Sequence, residues 1–327
     1  MKSMVKRVSL IRGDGTGPEL IDAAMMVFRS VAATERIDFV PCDAGAEYYH
    51  MAKADSYIPK ATWEILESSD ACLKGPTTTE PGPDTPRSVA VSIRQRFDLY
   101  ANVRPVKTFR GCEGPLGAVD MIFVREGTEG LYSGIEFKLG EDAAGAIRKI
   151  TRKSSERVCK YAFETTLQRG WKKTIVIHKA NILKVTDGLF LDAFKRIGEK
   201  YPAIAKEEYY VDNFAQQLVK NPHIFNQNVV VGTNLFMDIL TEEASALIGS
   251  IGMVYSANFG HKFAMFEPAH GSTPKYKGLN RVNPVATILS GAWLLEYLGE
   301  KRTGGAIFAA VEKVVEEGKT LTYDLKG

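Results

Sequence analysis

The sequence predicts an α/β protein whose sheet is largely parallel, and three observations lead to this prediction. Short runs rich in β-branched and apolar residues alternate with segments that repeat apolar residues at helical spacing. The helical segments are about 10–15 residues long, as in the crossovers between parallel strands. The chain has 327 residues, of which 45% are hydrophobic and 25% charged, so one large domain or two medium ones can bury a core.

The alternation begins near the first residue and continues through most of the chain. The first strand is predicted at 7–11 and the first helix at 18–33, with Pro18 in its first turn. Further strands are predicted at 37–43, 118–126, 172–180, 207–212 and 226–232. Further helices are predicted at 59–70, 155–170, 186–201 and 234–252. Residues 132–152 interrupt the pattern with an irregular excursion or β-arm, which suggests a middle domain inserted into the first one.

The charge pattern argues against nucleic acid and membranes as partners. The 42 Lys and Arg residues against 39 Asp and Glu give a net charge of +3, and the basic residues are scattered along the chain. No stretch approaches about 18 apolar residues, and the N-terminal apolar run is too short for a signal peptide. The four cysteines form no C-x-x-C pair, so we expect reduced thiols in a cytoplasmic protein.

The glycine-rich stretch "RGDGTGPE" at 12–19 lies between a predicted strand and a predicted helix. A Rossmann dinucleotide loop would occupy this place, but its fingerprint requires glycine where this chain has Pro18. The P-loop signature G-K-[ST] is missing too. A tight strand-to-helix turn is therefore the favoured interpretation.

Arginines 94, 104 and 125 could bind a substrate with two or three carboxylates, because planar guanidinium groups bind carboxylates in a bidentate manner. Surface ion pairing is the alternative for any single arginine. Arg125 is the strongest candidate since it ends a predicted strand, where open α/β sheets bind ligands.

Tyr132 follows on a glycine-flanked loop. A nearby cation would lower its pKa and suit it to proton donation, although most tyrosines only pack.

Lys179 also follows a predicted strand, in "IVIHKANILKV". A partly desolvated lysine there could act as a base, directly or through water. His178 and Lys184 are its rivals, and Asn181 could orient a ligand amide.

Three acidic residues could hold Mg²⁺ or Mn²⁺ through oxygen ligands. Asp238 and Glu242 are four residues apart on a predicted helix, hence on one face. Asp212 ends the predicted strand "EEYYVD". A solvated acidic pair is the simpler interpretation of the spacing alone.

The loop "HGSTPKYKGLNRVNP" at 270–284 carries Lys275, Lys277 and Arg281 beside Tyr276. Glycine, proline and asparagine predict a loop rather than a helix or strand. So many cations on one loop indicate an anionic ligand.

These stretches occur in the order seen in the isocitrate/isopropylmalate dehydrogenase family, the β-decarboxylating dehydrogenases of metal-bound 2-hydroxy acids, which the chain resembles from residue 11 to about 298. The stretches that carry the resemblance include "GDGTGPE", "LKGPTTT", "RSVAVSIRQRFDLYANVRP", "VREGTEGLYSG", "HKANILKVTDGLF", "NLFMDILTEEASALIGSIGM" and "FEPAHGSTP". The order of so many matches makes the resemblance specific.

The resemblance implies two α/β domains around a cleft, with a central mixed, largely parallel sheet and no standard Rossmann motif. Residues 1–99 and 249–327 would form a large, discontinuous cofactor-binding domain. Residues 100–248 would form a small domain with the dimer interface and part of the substrate and metal site. Across that interface, Lys179 and Asp212 would complete the active site of the neighbouring chain, so a homodimer is expected.

The resemblance also implies a role for each candidate residue. The substrate-binding residues would be Ser88, Arg94, Arg104 and Arg125. The catalytic residues would be Tyr132 as proton donor and Lys179 on the side of the base. The metal ligands would be Asp212, Asp238 and Glu242. The cofactor-binding residues would be Asn181, Glu267, His270, Gly271, Lys275, Tyr276, Val282 and Asn283.

Two positions bear on substrate and cofactor. Ser88 matches the serine with which isocitrate dehydrogenases contact the third carboxylate of isocitrate, but Ala90 stands where an asparagine is expected. Lys275 and Tyr276 stand where NAD-dependent members have aspartate and isoleucine, and an ammonium group favours the 2′-phosphate of NADP. We therefore expect an NADP-dependent isocitrate dehydrogenase, with NAD still possible.

The alternatives are a homoisocitrate or 3-isopropylmalate dehydrogenase and, from a different class, a non-catalytic regulatory subunit. Ala90 keeps the other substrates open, and Ala90 and Glu242 keep the regulatory subunit open. Glu242 replaces the usual aspartate, so it could bind metal through water or only support the residues that do. The sequence also ends at "KTLTYDLKG", before the final helix that usual members carry, so cofactor contacts from that helix are expected to be absent or to come from elsewhere.

Overall fold

A computed structural model describes residues 5–114 and 116–327 of the chain. Residues 1–4 and residue 115 lie outside the described part. Residues 1–4 begin the N-terminal segment whose apolar run was judged too short for a signal peptide. The strands of the described residues are β1 Lys6–Ile11, β2 Ile37–Cys42, β3 Ala71–Lys74, β4 Ala101–Lys107, β5 Asp120–Glu126, β6 Glu136–Lys138, β7 Ala144–Ala146, β8 Lys173–His178, β9 Ala205–Tyr210, β10 Asn228–Gly232, β11 Tyr255–Phe259 and β12 Ala264–Pro268. The helices are α1 Gly17–Ser30, α2 Ala46–Ala52, α3 Lys60–Glu67, α4 Val89–Arg96, α5 Arg152–Gln168, α6 Thr186–Gly198, α7 Val211–Lys220, α8 Asn234–Ser245, α9 Val285–Tyr297 and α10 Lys301–Glu317.

The chain divides into two compact units. Unit 1 comprises Met1–Phe97, Phe109–Cys112 and Gly249–Gly327, and unit 2 comprises Asp98–Thr108 and Glu113–Ile248. The assignment of cofactor binding to residues 1–99 and 249–327, and of the dimer interface and part of the substrate and metal site to residues 100–248, stays a prediction.

Unit 1 contains five strands in the order β2-β1-β3-β12-β11. All neighbours are parallel except β11 and β12, which are antiparallel. The last four residues of β1 are buried, as expected of a parallel strand covered on both faces. Helices α1 and α9 cover these strands and bury Phe28, Leu294 and Leu295 against Leu73 and Phe266.

Unit 2 contains five strands in the order β4-β5-β10-β8-β9. Strands β4 and β5 are antiparallel, and the other neighbours are parallel. The parallel strands β5, β10 and β8 end at the same edge of the sheet, where ligands bind in open α/β sheets. Arg125, Asn234 and Lys179 lie at or just beyond these three ends.

The predicted fold class is confirmed: the protein is α/β with a mixed, mostly parallel sheet. Each strand and helix predicted above is present, with ends shifted by up to three residues, except that the helix predicted at 234–252 ends at Ser245 and is followed by short 3-10 turns. Residues 132–152 do leave the β-α pattern, because β6 and β7 pair as a small antiparallel hairpin. The position of Asp212 is a correction, since the strand ends at Tyr210 and Asp212 lies in the first turn of α7.

Several elements were not predicted, among them β3, β4, β11, β12, α9 and α10. Helix α9 is buried nearly all round, so it has no polar stripe that would reveal a helical period. None of the described helices is both long and apolar enough to cross a membrane.

Candidate active site

Arg125 and Tyr132 meet at the carboxylate of Asp238 in unit 2. Arg125 is only 2% exposed, and its Nε donates to Asn234 Oδ1 at 2.8 Å. Its Nη1 donates to Asp238, and the Tyr132 hydroxyl donates to the other oxygen of the same carboxylate. The guanidinium also lies 4.9 Å from the centre of the Tyr132 ring. One carboxylate thus fixes both side chains.

Arg104 holds the same face of helix α8. Its Nη1 donates to Thr241 Oγ1 at 2.8 Å and to Glu242 Oε1 at 3.2 Å, and its Nη2 lies 3.5 Å from Asp238 Oδ1. The predicted placement of Asp238 and Glu242 on one helical face is therefore correct. Two buried guanidinium groups surround two carboxylates, so the cluster can exchange its internal partners for the carboxylates of a ligand.

The pKa of Tyr132 differs from the expectation. Proximity of Arg125 was expected to lower it, but burial raises the pKa of Tyr132, and the Asp238 carboxylate raises it further, so that the opposing effect of Arg125 is outweighed. The hydroxyl therefore keeps its proton throughout the neutral range, which suits a donor. Burial likewise raises the pKa of Glu242, with Asp238 adding to this effect and Arg104 opposing it.

Lys179 is paired with Asp212. Its Nζ lies 2.6 Å from Asp212 Oδ1, and this hydrogen bond lowers the pKa of the exposed Asp212 carboxyl. His178, a rival for the base, is buried, and its Nδ1 accepts the Ala180 N–H at 3.1 Å. Burial lowers the pKa of His178, which favours the neutral ring, and its Nδ1 stabilises the turn that follows β8. Lys184 and Asn181 are exposed.

The predicted metal ligands are not grouped within one chain. Asp238 and Glu242 come together on α8, whereas Asp212 lies on α7 beside Lys179. In the described part of the chain, no three or more His, Cys, Asp and Glu side chains lie close enough to hold a metal ion. Two carboxylates on one face match the oxygen ligands that Mg²⁺ and Mn²⁺ prefer, so a third ligand would have to come from elsewhere.

Arg94 belongs to a buried ionic network in unit 1. Its Nε donates to Asn258 Oδ1 at 2.8 Å, and its Nη2 to Glu267 Oε1 at 3.0 Å. Lys74, which sequence reasoning missed, lies 3.0 Å from Glu267 Oε2. Burial alone would raise the pKa of Glu267, but Lys74 and Arg94 together hold it well below the usual range. Two of the three guanidinium nitrogens of Arg94, Nε and Nη2, thus already bind groups within the protein.

Ser88 precedes helix α4 as its N-cap residue but makes no side-chain capping bond. Its hydroxyl has no hydrogen-bond partner within the described residues, and its side chain is half-buried. An unused hydroxyl next to the helix that carries Arg94 is available to a ligand.

The glycine-rich turn at 12–19 supports neighbouring loops. The Asp14 carboxylate accepts three backbone N–H groups, at 2.7 to 3.0 Å, from Ala46, Glu47 and Thr78. Gly15 has φ +58°, and a Cβ there would lie 2.2 Å from the Ser272 carbonyl oxygen. The turn is therefore a tight support for the loop at 270–284, and no Rossmann motif is formed.

Acidic residues anchor one side of the loop at 270–284, called the basic loop below. Lys277 Nζ lies 2.6 Å from Glu47 Oε2, so this cation is already neutralised. Glu19 accepts the N–H groups of Gly278 and Asn280. The Thr78 hydroxyl lies 2.6 Å from that of Ser272.

The other side of the basic loop presents cations and tyrosines. Lys275 and Arg281 have no carboxylate partner among the described residues. The ammonium of Lys275 lies 4.9 Å from the centre of the Tyr276 ring, and the Arg281 guanidinium lies 4.9 Å from that of Tyr323. Sequence reasoning missed Tyr323, because 47 positions separate it from Tyr276 and no local pattern joins them. Two unneutralised cations and two phenols suit a phosphate.

Four more residues of the basic loop were predicted to bind the cofactor. Asn283 is buried, and its Nδ2 donates to Asp324 Oδ2 at 3.0 Å while its Oδ1 accepts the Val285 N–H at 3.0 Å. Both atoms of its amide group are therefore already hydrogen-bonded within the protein. His270 is 8% exposed, its Nε2 has no partner among the described residues, and burial lowers its pKa. Gly271 is exposed and Val282 half-buried.

Comparisons with known proteins agree on one family. A profile described as isocitrate/isopropylmalate dehydrogenase matches residues 7–327. The NADP isocitrate dehydrogenase of Thermus thermophilus is 39% identical over 324 residues, covering 98% of this chain but only 64% of that protein. The homoisocitrate dehydrogenase of Methanocaldococcus jannaschii is 41% identical, covering 98% and 93%. The crystal structure of an isocitrate dehydrogenase from Methylococcus capsulatus has a TM-score of 0.93 at 40% identity, covering 98% and 94%.

Proposed function

The chain belongs to the isocitrate/isopropylmalate dehydrogenase family of β-decarboxylating dehydrogenases, and we propose that it catalyses the NADP-dependent oxidative decarboxylation of isocitrate to 2-oxoglutarate and CO₂. The observation that carries the proposal is the cluster of Tyr132, Arg125 and Arg104 around Asp238. It combines a protonated phenol with two cations that can bind carboxylates. A divalent metal ion and a second copy of the chain are part of the proposal.

Substrate recognition would use charges and one hydroxyl. Arg104 and Arg125 would each exchange an internal carboxylate partner for a substrate carboxylate. Arg94 would bind the substrate through Nη1, the guanidinium nitrogen that is not bonded to Asn258 or Glu267. The unused Ser88 hydroxyl would donate to the third carboxylate, the group that distinguishes isocitrate from isopropylmalate.

Proton transfer would be divided between Tyr132 and Lys179. Burial and Asp238 keep the proton on the Tyr132 oxygen, from which it would pass to the carbon that loses CO₂. The Lys179 of a second copy, held by its pair with Asp212, would take up the proton of the substrate hydroxyl, directly or through water. When bound, the nicotinamide would accept the hydride and the divalent ion would polarise substrate oxygens; Asp238, Glu242 and a second copy's Asp212 would hold that ion.

The cofactor proposal depends on the exposed side of the basic loop. Lys275 and Arg281 lack carboxylate partners among the described residues and lie against Tyr276 and Tyr323. A 2′-phosphate would supply the missing negative charge, whereas the ribose hydroxyls of NAD would not. NADP is therefore favoured over NAD.

A matrix of assays tests the function. Nicotinamide reduction is followed with isocitrate, homoisocitrate, isopropylmalate, malate and tartrate, each with NAD or NADP and with Mg²⁺ or Mn²⁺. We expect the highest kcat/KM with isocitrate and NADP, and none after chelation of divalent ions. A preference for isopropylmalate would refute the substrate assignment, and no turnover at all would favour a regulatory subunit.

Homoisocitrate is the second candidate substrate because of Ala90. The side chain there cannot donate the hydrogen bond of the expected asparagine, which weakens binding of a third carboxylate by about 1–3 kcal/mol. The kcat/KM values of the wild-type protein with isocitrate and with homoisocitrate discriminate between the two, and Ala90→Asn tests the role of position 90. If the missing donor weakens the binding of isocitrate, the variant should lower the KM for isocitrate, whereas an unchanged KM would exclude position 90 from substrate choice.

Changing Lys275 and Tyr276 to Asp and Ile tests the cofactor assignment. The introduced carboxylate repels a 2′-phosphate and accepts hydrogen bonds from ribose hydroxyls, so kcat/KM should shift toward NAD by at least about tenfold. Lys277→Ala is the matched control, because Glu47 already neutralises Lys277. An unchanged ratio in the double variant would exclude this loop as the site of cofactor selection.

A further inference from the structure

Arg148 joins segments of unit 2 that are far apart in sequence. It lies between β7 and α5, and its side chain is 14% exposed. Its Nη1 donates to Thr186 Oγ1 at 2.9 Å, and its Nη2 donates to Thr233 Oγ1 at 2.8 Å. Its guanidinium also lies 5.1 Å from the centre of the Phe236 ring. A single side chain therefore bridges the start of α6 and the start of α8.

The bridge continues to Lys179 through a buried carboxylate. Asp187 is fully buried, and its Oδ1 lies 2.5 Å from Arg148 Nη1. Its Oδ2 accepts the backbone N–H of Lys179 at 2.7 Å. Because a buried carboxylate without its cation is costly, Arg148 is what allows Asp187 to hold this loop. The contact fixes the backbone from which the Lys179 side chain extends.

The other end of the bridge sets the helix of the carboxylate cluster. Thr233 is the N-cap residue of α8 and directly precedes Asn234, the acceptor for Arg125. Phe236 lies two residues before Asp238 on the same helix. The two nitrogens of a planar guanidinium keep a fixed separation and angle, which an ammonium cannot reproduce. The Arg148 guanidinium therefore fixes the position of the Lys179 loop relative to α8 within one chain.

We propose that Arg148, acting with Asp187, is a positioning residue for the reaction. The proposal rests on the function proposed above, in which Lys179 and Asp238 take part. Arg148 would not contact substrate. Its guanidinium group would hold two parts of the chain in place at once: the Lys179 loop, which serves the site of the second copy, and helix α8, which carries Asp238 of the chain's own site. Displacement of either part by about 1 Å can cost about a hundredfold in rate.

Kinetics of three single variants test the proposal. We expect Arg148→Met to lower kcat by about 10–100-fold and Arg148→Lys to lower it less. Arg152→Met is the matched control: Arg152 lies on the same segment and pairs at 2.6 Å with Asp192, but both side chains are exposed. The control should retain wild-type kcat.

A double variant separates positioning from stability. Arg148→Met leaves Asp187 as an unpaired buried charge, so its Tm should fall. Adding Asp187→Asn removes that charge and should restore most of the Tm, while kcat stays low because the fork to Thr233 is still missing. Recovery of kcat together with Tm would show a purely structural role and overturn the proposal.

Hydrogen exchange supplies a readout that does not depend on turnover. In Arg148→Met, the Lys179 amide and the amides of residues 233–238 should exchange faster than in wild type, and in Arg152→Met they should not. Unchanged exchange at both places would overturn the proposal whatever the activity. An inactive wild-type protein would refute the proposed function, and exchange would still decide whether Arg148 fixes the two segments. If Arg148→Met does not fold, Arg148→Lys serves for the same measurements.

Discussion

At the scale of a single residue, two neighbours shift the pKa of Tyr132 in opposite directions. Burial and the Asp238 carboxylate raise its pKa, and Arg125 lowers it less strongly. The neutral phenol should therefore persist beyond the ordinary tyrosine value of about 10. Its contribution to stability is fully present below that value and is lost as pH rises through the folded-state pKa.

Replacement of Tyr132 by Phe tests its role as a proton donor. We expect kcat to fall by about 10²–10⁴-fold while the fold persists, because the ring still packs under Arg125. Tyr297→Phe, at a partly exposed position of unit 1, should leave kcat unchanged. Tyrosinate absorbance should show one fewer late-titrating group in Tyr132→Phe. A variant with wild-type kcat would remove Tyr132 from the chemistry.

Lys74 illustrates how a buried residue with no predicted role can matter for stability. Lys74→Met leaves Glu267 buried with only Arg94 and Asn258 as polar partners, so unfolding free energy in urea should fall by about 3–5 kcal/mol. Lys60→Met, at a side chain that is 93% exposed, should change it by less than about 0.5 kcal/mol. Because Glu267 has a depressed pKa, the gap between Lys74→Met and wild type should narrow as pH falls below about 4. A gap that widens instead would contradict the pairing.

At the scale of elements, the turn between β1 and α1 supports the basic loop. Gly15→Ala places a methyl group against the Ser272 carbonyl, so the loop must move. The KM of the cofactor should rise by about tenfold while kcat changes little. Gly318→Ala is the control, since Gly318 has a similar φ of +65° with no atom within 4 Å of its added Cβ. Both variants carry backbone strain of about 1 kcal/mol, so equal KM values in the two would exclude the support role.

At the scale of the whole molecule, sequence patterns predicted the fold class and six of the twelve strands of the described residues because those patterns are local. The period of apolar residues placed both ends of β1, α1, β5 and β8, and the start of α8, within three residues. The patterns could not show which polar atoms the protein uses internally. Lys277 pairs with Glu47, 230 positions away, and the Asn283 amide binds Asp324, 41 positions away. Such contacts depend on tertiary packing, and they decide which predicted site residues remain available to a ligand.

Sharing of the site between two copies of the chain can be tested by complementation. Within one chain, Asp212 lies with Lys179 and away from the Asp238 cluster, and the proposed function brings them together from two copies. Lys179→Ala and Asp238→Asn should each be nearly inactive. If sites are shared in a two-fold dimer, half of the dimers after co-refolding are mixed, and each mixed dimer has one intact site out of two. The mixture should regain about a quarter of wild-type activity. Two copies of the same variant give the baseline, and a mixture that stays at this baseline although mixed dimers form would place the whole site within one chain.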